Sequence, residues 1–396
     1  MGIKSINTLL KKLCPEAFVK VKPNFFKDKK IAIDGDNFSA KFMAGSNSSV
    51  VKTSNIPYDD LDYNMCEKLW FSRWRNMINK LLMSKIVPVI VFDGTSPKEK
   101  LKTKEKRTER MKKDREKYDQ LVADIDNLNP LEEASLEKVK ELKKIASRLF
   151  YIRSESKRKL IKYFDINGIP YAFAKGEGER LCSMLVRDGY VETALSKDTD
   201  LMAYGTNMSA TDVVMNNDGV MYFECVMLSK VTEDLGITFK QFLDLCIMCG
   251  CDYNSNIRGI GPHNSLKLIK RYGSVEGIEN LDIECLNYAK CKELFRYMKA
   301  SDLIVSDMET ISYKNLGNIN PRTDPANLSL KQTDANSQCY FKSEEKDYLI
   351  SVPPVTKKFE RKEKWEYHVY NNRVSNATMN RMLDIIETTK TTKTTT

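Results

Sequence analysis

The chain has 396 residues, of which 41% are hydrophobic, so it is long enough to bury one large core or two domains. Its 64 lysines and arginines exceed its 54 acidic residues, and the net charge of +10 favours a polyanionic partner, either nucleic acid or a membrane surface. The ten cysteines lack the repeated spacing of a zinc site, which favours reduced thiols in an intracellular protein. Neither a secretory signal nor an apolar run of membrane-spanning length is present, so no membrane partner is expected.

The predicted elements alternate between helix and strand along most of the chain. In the N-terminal part they are a helix within residues 1–25, a strand at 29–34, a helix at 63–85 and a strand at 86–94. Charged helical segments run from 97 to about 160, and a helix follows at about 155–166. The rest are strands at 169–175 and 194–200 separated by a helix that ends on Gly189, a hairpin at 212–226, and helices at 238–250 and 262–273. Apolar strands separated by helices are typical of a mostly parallel sheet flanked by helices. The pattern therefore predicts an α/β fold.

The changes of composition divide the chain into five predicted regions. They are an N-terminal region at 1–96, a basic helical region at 97–154, an internal α/β region at 155–275, a helical or irregular region at 276–386, and a disordered tail at 387–396. The basic region begins with 24 residues that contain eleven lysines and arginines against six acidic residues. Taken alone, such a segment is either a solvated charged helix or a cover over an acidic site.

Acidic residues recur where the predicted strands end and where helices begin or end. These residues are Asp34, Asp93, Glu177, Glu179, Asp198, Asp200 and Asp252. Each one alone is equally compatible with an ordinary turn, a helix start or a solvated loop. Because the carboxyl ends of parallel strands meet at one edge of a sheet, we expect the seven side chains to lie together. Carboxylates in such numbers need counter-charge, which two Mg²⁺ ions about 4 Å apart, or Mn²⁺ in their place, would supply.

Asp198 and Asp200 stand two positions apart in the segment SKDTD. Residues two apart on a strand point to the same side. We therefore expect the predicted strand to continue through this segment and to present both carboxylates on one face.

The segment RGIGPHNSLKLI at 258–269 predicts a glycine-rich turn followed by a helix. Gly259 and Gly261 allow the backbone to approach a ligand closely, and proline suits the first turn of a helix. A loop whose amides face outward ahead of a helix N-terminus suits phosphate. The candidate contacts to phosphate groups in and after this turn, which the resemblance described below would assign to DNA, are Arg258, Gly259, Gly261, Lys267, Lys270 and Arg271. In the basic region, Lys100 and Arg107 are positioned to reach a scissile phosphate and to stabilise its developing charge.

Seven sequence segments together resemble the flap endonuclease branch of the xeroderma pigmentosum G / Rad2 family of 5′-nucleases. They are MGIKSI, KIAIDGD, PVIVFDG, the KRTER segment, AKGEGER, SKDTDLMAYG and LCIMCGCDYNSNIRGIGP, in the family's order and over about residues 1–275. The resemblance implies a PIN-like nuclease core, a helical arch over the active site, and a helix–two-turn–helix motif. It also implies that the seven carboxylates hold two Mg²⁺ ions, that Lys100 and Arg107 form a catalytic basic pair, and that Gly2 lies beside the DNA junction.

The same resemblance predicts a structure-specific 5′ flap endonuclease with 5′–3′ exonuclease activity, acting as a monomer on branched DNA in replication, repair and recombination. It implies a K⁺ ion at the helix–two-turn–helix motif, and the nucleus or a viral replication site as the location. Alternatives that the sequence leaves open are an exonuclease, a Holliday-junction resolvase or an RNase of the same family, and a non-catalytic nucleic-acid-binding relative.

The chain departs from the family pattern at three places. The aromatic residue that stacks on a base near the cut falls at Ala40, with Phe38 as a possible substitute. Asp36 adds an acidic residue beside Asp34, and we interpret it as a bystander. The C-terminal box that binds a sliding clamp, a glutamine followed by an aromatic pair, is absent, which counts against the clamp as a partner; MNRMLDII is predicted instead to be a final core helix.

Overall fold

The computed structural model describes residues 2–56, 61–126, 133–216, 219–279 and 281–305. The predicted disordered tail, the helix expected at MNRMLDII and most of region 276–386 lie outside these residues, and the five-region division stays a prediction. In the part of the chain described, no helix is both long and apolar enough to cross a bilayer.

A mixed sheet of seven strands forms the centre of the protein, in the order β1-β7-β6-β5-β2-β3-β4. The strands are β1 Phe18–Val21, β2 Lys30–Asp34, β3 Val87–Phe92, β4 Tyr171–Phe173, β5 Thr193–Leu195, β6 Met208–Met215 and β7 Met221–Met227. The neighbouring strands from β6 through β5, β2 and β3 to β4 are parallel, whereas β7 is antiparallel to both β6 and β1. The predicted α/β fold with a mostly parallel sheet is confirmed.

Strands β2 and β3 are apolar because the sheet is covered on both faces. Ala32 of β2 and Val89 of β3 lie in one apolar cluster, while Ile33 and Ile90 of the same strands lie in the other. This alternation follows from the two-residue repeat of a strand, and full burial of each such side chain contributes about 1.5–3 kcal/mol. Because both faces are covered, a polar site is expected where the strands end.

The helices lie on both faces of the sheet and in the segment between β3 and β4. They are α1 Ile6–Leu13, α2 Gly35–Thr53, α3 Tyr63–Met83, α4 Leu101–Asp126, α5 Glu133–Ala146, α6 Ser154–Ile166, α7 Gly178–Arg187, α8 Asp200–Ala203, α9 Leu228–Leu235, α10 Phe239–Cys249, α11 Pro262–Tyr272, α12 Tyr288–Leu294 and α13 Ala300–Leu303. Short 3₁₀ turns occur at Pro15–Ala17, Pro23–Phe26, Lys98–Lys100 and Glu284–Leu286.

The elements that were not predicted include β1 and α2. β1 is only four residues long and lies between two proline-started turns, so its pattern is too short to recognise before its pairing with β7 is known. α2 begins GDNFSAKF and contains glycine, asparagine and four serines, which are weak helix formers. Its start is fixed instead by Asp34, whose carboxylate accepts a hydrogen bond of 2.9 Å from the amide of Asn37.

The charged helices α4 and α5 contact each other and have a small apolar cluster of their own. Leu121 and Ile125 of α4 are buried against Leu142 and Ile145 of α5. This segment was expected to be helical and to lie outside the central core, and the structure agrees with both expectations. Its mostly exposed basic side chains follow from that separate position.

Candidate metal centre and nucleic-acid surface

The seven predicted carboxylates come from the carboxyl ends of four neighbouring parallel strands and from one helix–helix turn. Asp34 ends β2, Asp93 follows β3, Glu177 and Glu179 start α7 after β4, Asp198 and Asp200 follow β5, and Asp252 follows α10. Strands β5, β2, β3 and β4 are adjacent in the sheet, so their ends lie side by side.

Two of these carboxylates are fixed by hydrogen bonds from the backbone and from a serine. Asp34 accepts from the hydroxyl of Ser196 at 3.0 Å in addition to the amide of Asn37. The amide of Gly178 donates to Asp93 at 2.6 Å. Burial, and then the charge of Asp93, raise the pKa of Asp34 to about 7. Burial raises the pKa of Asp93 to about 6, with smaller contributions from neighbouring acids.

The tightest acidic group consists of Glu179, Asp198 and Asp200. One carboxylate oxygen from each of the three lies within 4.8 Å of the others, which is the spacing of ligands around one metal ion. Burial, followed by the charge of Asp198, raises the pKa of both Glu179 and Asp200 well above the ordinary range. Protonation therefore relieves the repulsion in the ion-free protein.

The prediction that Asp198 and Asp200 share a strand is wrong. β5 ends at Leu195, three residues before Asp198, and Asp200 is the first residue of α8. The two carboxylates meet because the chain turns from the strand into a short helix, not because of strand alternation. Behind them, the hydroxyls of Tyr204 and Tyr253 hydrogen-bond at 2.9 Å and close the interior side of the cluster.

The start of α4 and the turn before it place two cations on the carboxylates. The ammonium group of Lys100 hydrogen-bonds to Glu177 and lies 3.4 Å from a carboxylate oxygen of Asp252. Arg107 donates to the same Asp252 oxygen at 2.8 Å, and the Thr103 hydroxyl donates to the Asp252 carbonyl at 3.0 Å. Burial opposes the charge of Lys100, but the attraction of Glu177 and the other acids prevails and raises the pKa of Lys100. The basic segment thus covers the acidic site, as one of its two sequence interpretations expected.

The donor set fits hard divalent cations. In the described residues, Asp200 Oδ1 and Glu177 Oε1 are buried without a hydrogen-bond partner. A buried polar atom that lacks a partner is costly, and a metal ion at this position would supply one. The clustered ligands are all carboxylate oxygens, which suit Mg²⁺ or Mn²⁺ better than zinc or copper.

Asp36, set aside as a bystander, is in contact with the site. One of its carboxylate oxygens accepts from the amide of Asp93 at 2.7 Å, and the other pairs with the ammonium group of Lys157 at 2.7 Å. These bonds join α2, the end of β3 and α6 beside the carboxylates. A strand pattern gives no signal for this role, because it depends on where α6 lies.

We expect Asp36→Ala to lower the free energy of unfolding by about 1–3 kcal/mol, because the Asp93 amide and Lys157 lose their acceptor. The measurement is urea unfolding at neutral pH. Glu155→Ala on α6, the helix of Lys157, is the control: in the described residues Glu155 forms an exposed pair of 3.5 Å with Lys159, and its loss should change stability by less than about 0.5 kcal/mol. Equal stabilities of the Asp36 variant and the wild type would contradict this prediction.

Gly2 lies directly against the acidic group. Its φ of +85° is in the left-handed region, and a Cβ atom built on it would be 1.7 Å from Asp198 Oδ1 and 2.8 Å from Asp200 Oδ1. The next residue, Ile3, fixes this position because its amide donates to the Thr199 hydroxyl at 2.8 Å. Only glycine allows the N-terminal segment to approach the carboxylates so closely.

We expect Gly2→Ala to reduce Mg²⁺-dependent cleavage by about tenfold or more, since the added methyl must displace Asp198 or the N-terminal segment. Gly168→Ala is the control, because Gly168 also has a positive φ of +64° but faces open space. That variant tests backbone strain without the clash, and it should keep full activity. Metal titrations of both proteins would show whether the Gly2 variant requires more Mg²⁺ for half-maximal rate, and an unchanged requirement and rate would refute the prediction.

The predicted phosphate-binding turn ends in α11, whose first residue is Pro262. Gly259 has a φ of +79°, and the space beside it and beside Gly261 is open. The residues Arg258, Lys267, Lys270 and Arg271 are all exposed. The turn and the helix therefore present an open backbone and four cations on the protein surface.

Phe38 is unavailable for stacking on a base. It is 1% exposed and packs edge-on against Phe42 in the core between α2 and the sheet. Neither Phe38 nor Ala40 therefore offers an aromatic face at this part of the site.

Two family models and several known proteins match this chain in sequence. Residues 1–114 match the family model of the XPG N-terminal domain, and residues 168–252 match that of the XPG I-region. The chain is 31% identical to Flap endonuclease 1 of Naegleria gruberi over 281 residues, covering 70% of this chain and 67% of that protein. It is 30% identical to Flap endonuclease 1 of Entamoeba histolytica over 308 residues, covering 76% of this chain and 77% of that protein.

A solved structure of the catalytic core of Rad2 in complex with DNA substrate is also similar. Its TM-score is 0.50 at 19% sequence identity, and the superposition covers 83% of this chain and 84% of that one. At this identity, the likeness supports the fold alone.

Proposed function

We propose that this chain, which belongs to the flap endonuclease branch of the XPG/Rad2 family, cleaves DNA phosphodiester bonds at junctions between duplex and a 5′ single strand. A member of this family is a structure-specific, metal-dependent nuclease. The finer assignment to DNA flaps, with accompanying 5′–3′ exonuclease activity, is the proposal. The observation that supports it best is the convergence of seven carboxylates and two cations at one edge of the sheet.

The carboxylates divide into two neighbouring groups. Glu179, Asp198 and Asp200, with Asp252 nearby, would hold one Mg²⁺ ion, and Asp34, Asp93 and Glu177 would contribute to a second. Two bound Mg²⁺ ions supply an activated water and charge stabilisation for the leaving oxygen.

The chain's own residues position the phosphodiester and balance its charge. Lys100 and Arg107 now pair with Glu177 and Asp252, and on substrate binding they would turn toward the scissile phosphate and stabilise its added negative charge. Because Gly2 has no side chain, the N-terminal segment lies directly against Asp198.

The turn before α11 and the helix itself would hold the duplex. Exposed Lys267, Lys270 and Arg271 offer charges to successive phosphates, and the open backbone at Gly259 and Gly261 permits close approach. Contacts of this kind read the shape of the junction and not its sequence, so affinity should fall steeply as salt is added. A K⁺ ion at this turn, Mn²⁺ as a substitute for Mg²⁺, a monomeric state, and a location in the nucleus or at a viral replication site complete the proposal. The missing clamp box counts against dependence on a sliding clamp.

The test compares double-flap, nicked, single-stranded and four-way junction DNA in Mg²⁺ and in EDTA, together with an RNA flap of the same sequence. Preferred cleavage of the 5′ flap near its junction, with loss in EDTA, is the expected result. Preference for the RNA flap would favour an RNase, and preference for the four-way junction would favour a resolvase. Tight binding without cleavage in either metal would indicate a non-catalytic relative and would overturn the proposal.

A further inference from the structure

The surface next to the charged helices carries an exposed aromatic stack that the proposed mechanism does not use. Tyr63 starts α3, and Tyr151 lies in the link between α5 and α6. Their rings are stacked with centroids 5.0 Å apart and planes inclined by 20°. The guanidinium carbon of Arg153 lies 3.6 Å from the centre of the Tyr63 ring. Tyr151 remains 57% exposed, although one side of its ring faces Tyr63.

The hydrogen bonds of this group show that Tyr63 has a structural role and that the side chain of Tyr151 is bound less tightly. The hydroxyl of Tyr63 accepts from the amide of Arg153 at 3.2 Å and also contacts Ser156, so Tyr63 fixes the start of α6. In the described part of the chain, the hydroxyl of Tyr151 accepts a single long bond of 3.4 Å, from the guanidinium of Arg153. The aromatic ring of Tyr151 is thus held in place by the stack but is not needed to close the core.

The surroundings of Tyr151 are basic and lead to the metal centre. Three residues earlier, Arg148 lines a surface cleft with four charged residues of α4 and α5, namely Lys117, Lys140, Glu141 and Lys144. Within it Lys117 pairs with Glu141, so the cleft keeps a positive excess. In the other direction, Lys157 follows Arg153 by one turn of α6, or about 6 Å, and bonds to Asp36 beside Asp93. An exposed aromatic face between a basic cleft and a phosphodiesterase centre matches the combination by which proteins hold single strands.

We propose that Tyr151, supported by Tyr63 and Arg153, forms a stacking site for one unpaired base of the single-stranded DNA arm of the substrate. The inference rests on the proposed function and adds a contact to it. A base would stack on the outer face of Tyr151, and the charge of Arg153 would attract the adjoining phosphate. Because every base has a π-face, the site would be indifferent to base identity. It would hold the arm within a few nucleotides of the cut.

The test is equilibrium binding of fluorescent flap DNA in EDTA, where no cleavage occurs, with Tyr151→Leu, Tyr151→Phe and the wild type. Leucine keeps an apolar side chain without a π-face, whereas phenylalanine keeps the ring and loses only the hydroxyl. We expect Tyr151→Leu to weaken binding of the flap about 5-fold to 100-fold, the range for loss of one stacked base, and Tyr151→Phe to bind like the wild type. Nicked duplex without an arm should bind all three proteins equally.

A matched control is Tyr297→Leu. Tyr297 is also exposed and has the guanidinium of Arg187 4.8 Å from its ring centre, but it bonds to Asp188 at the far end of α7, about 15 Å from Glu177. This variant should bind the flap normally. A set of flaps with one abasic position each would then locate the stacked base: one abasic position should weaken wild-type binding and have no further effect on Tyr151→Leu.

The outcomes separate this inference from the proposed function. If the wild type cleaves flaps but Tyr151→Leu binds them as tightly as the wild type, the stacking site is refuted and the nuclease assignment stands. Equal weakening on the armless duplex, or a loss of folding stability in urea, would also refute it, since the ring would then be structural. Absence of flap cleavage by the wild type would refute the proposed function first.

Discussion

Asp200→Asn is expected to reduce Mg²⁺-dependent cleavage by a factor of about 10³ or more, while flap binding in EDTA stays close to that of the wild type. Asp200 is one of three residues whose oxygens lie within 4.8 Å of one another, and its Oδ1 has no other partner in the described residues. Asparagine keeps the shape but removes the charge that holds a divalent ion. Single-turnover cleavage of a double flap, measured over a range of Mg²⁺ concentrations, is the deciding experiment.

The control for this variant is Asp165→Asn. Asp165 accepts from the hydroxyl of Tyr171, the first residue of β4, and so lies at the opposite edge of the sheet. The Asp165→Asn variant should therefore cleave at the wild-type rate. We also expect Asp200→Asn to be more stable than the wild type in EDTA by about 1 kcal/mol or more, because asparagine is neutral without having to take up a proton when the chain folds. A fully active Asp200 variant would show that the metal ligands are assigned wrongly.

The ion-free protein should lose several kcal/mol of stability as the pH rises from about 5 to about 7.5. The folded-state pKa values of Asp34 and Asp93 are raised to about 7 and about 6, whereas an unfolded chain titrates near 4. A group with a raised pKa binds protons more strongly in the folded state, so its contribution is complete below the unfolded value and is lost as the pH passes the folded value. Each unit of difference corresponds to about 1.4 kcal/mol.

Urea unfolding in EDTA at several pH values measures this loss, and the same series in excess Mg²⁺ should be flatter. Carboxylates with lowered pKa, such as Asp212 beside Lys41 and Lys197, act in the opposite direction but only at lower pH, where they become protonated. The window above pH 5 therefore isolates the metal centre. Stability in EDTA that is constant or rising across this window would contradict the raised pKa values.

Much of the site was predictable because its residues follow strands with a strong signal. KIAID and VPVIVF are apolar on both faces, so Asp34 and Asp93 could be placed at one edge of a parallel sheet before any coordinates were known. Lys100 and Arg107 were placed over that edge by their position between β3 and β4. The start of α10 also has a local sequence signal, because Thr238 followed three residues later by Gln241 is the pattern of a capping box, and the structure has both of its hydrogen bonds.

The remaining features depend on contacts between distant segments. Asp36 gains its role only because Lys157 of α6 lies beside it, and Gly2 because the N-terminal segment docks on Thr199. The meeting of Asp198 and Asp200 was expected for the wrong local reason, since a turn into α8 replaces the predicted strand. Tyr63 and Tyr151 are far apart in sequence, and no periodic pattern predicts that their rings stack.

The order in which the chain is synthesised determines when the acidic site can form. The acidic site is built from the ends of strands in both halves of the described chain. It is complete only after the turn that follows α10 has left the ribosome. Pairings between segments so distant in sequence form late in folding. A partly synthesised chain that still lacks Asp252 should therefore have no nuclease activity.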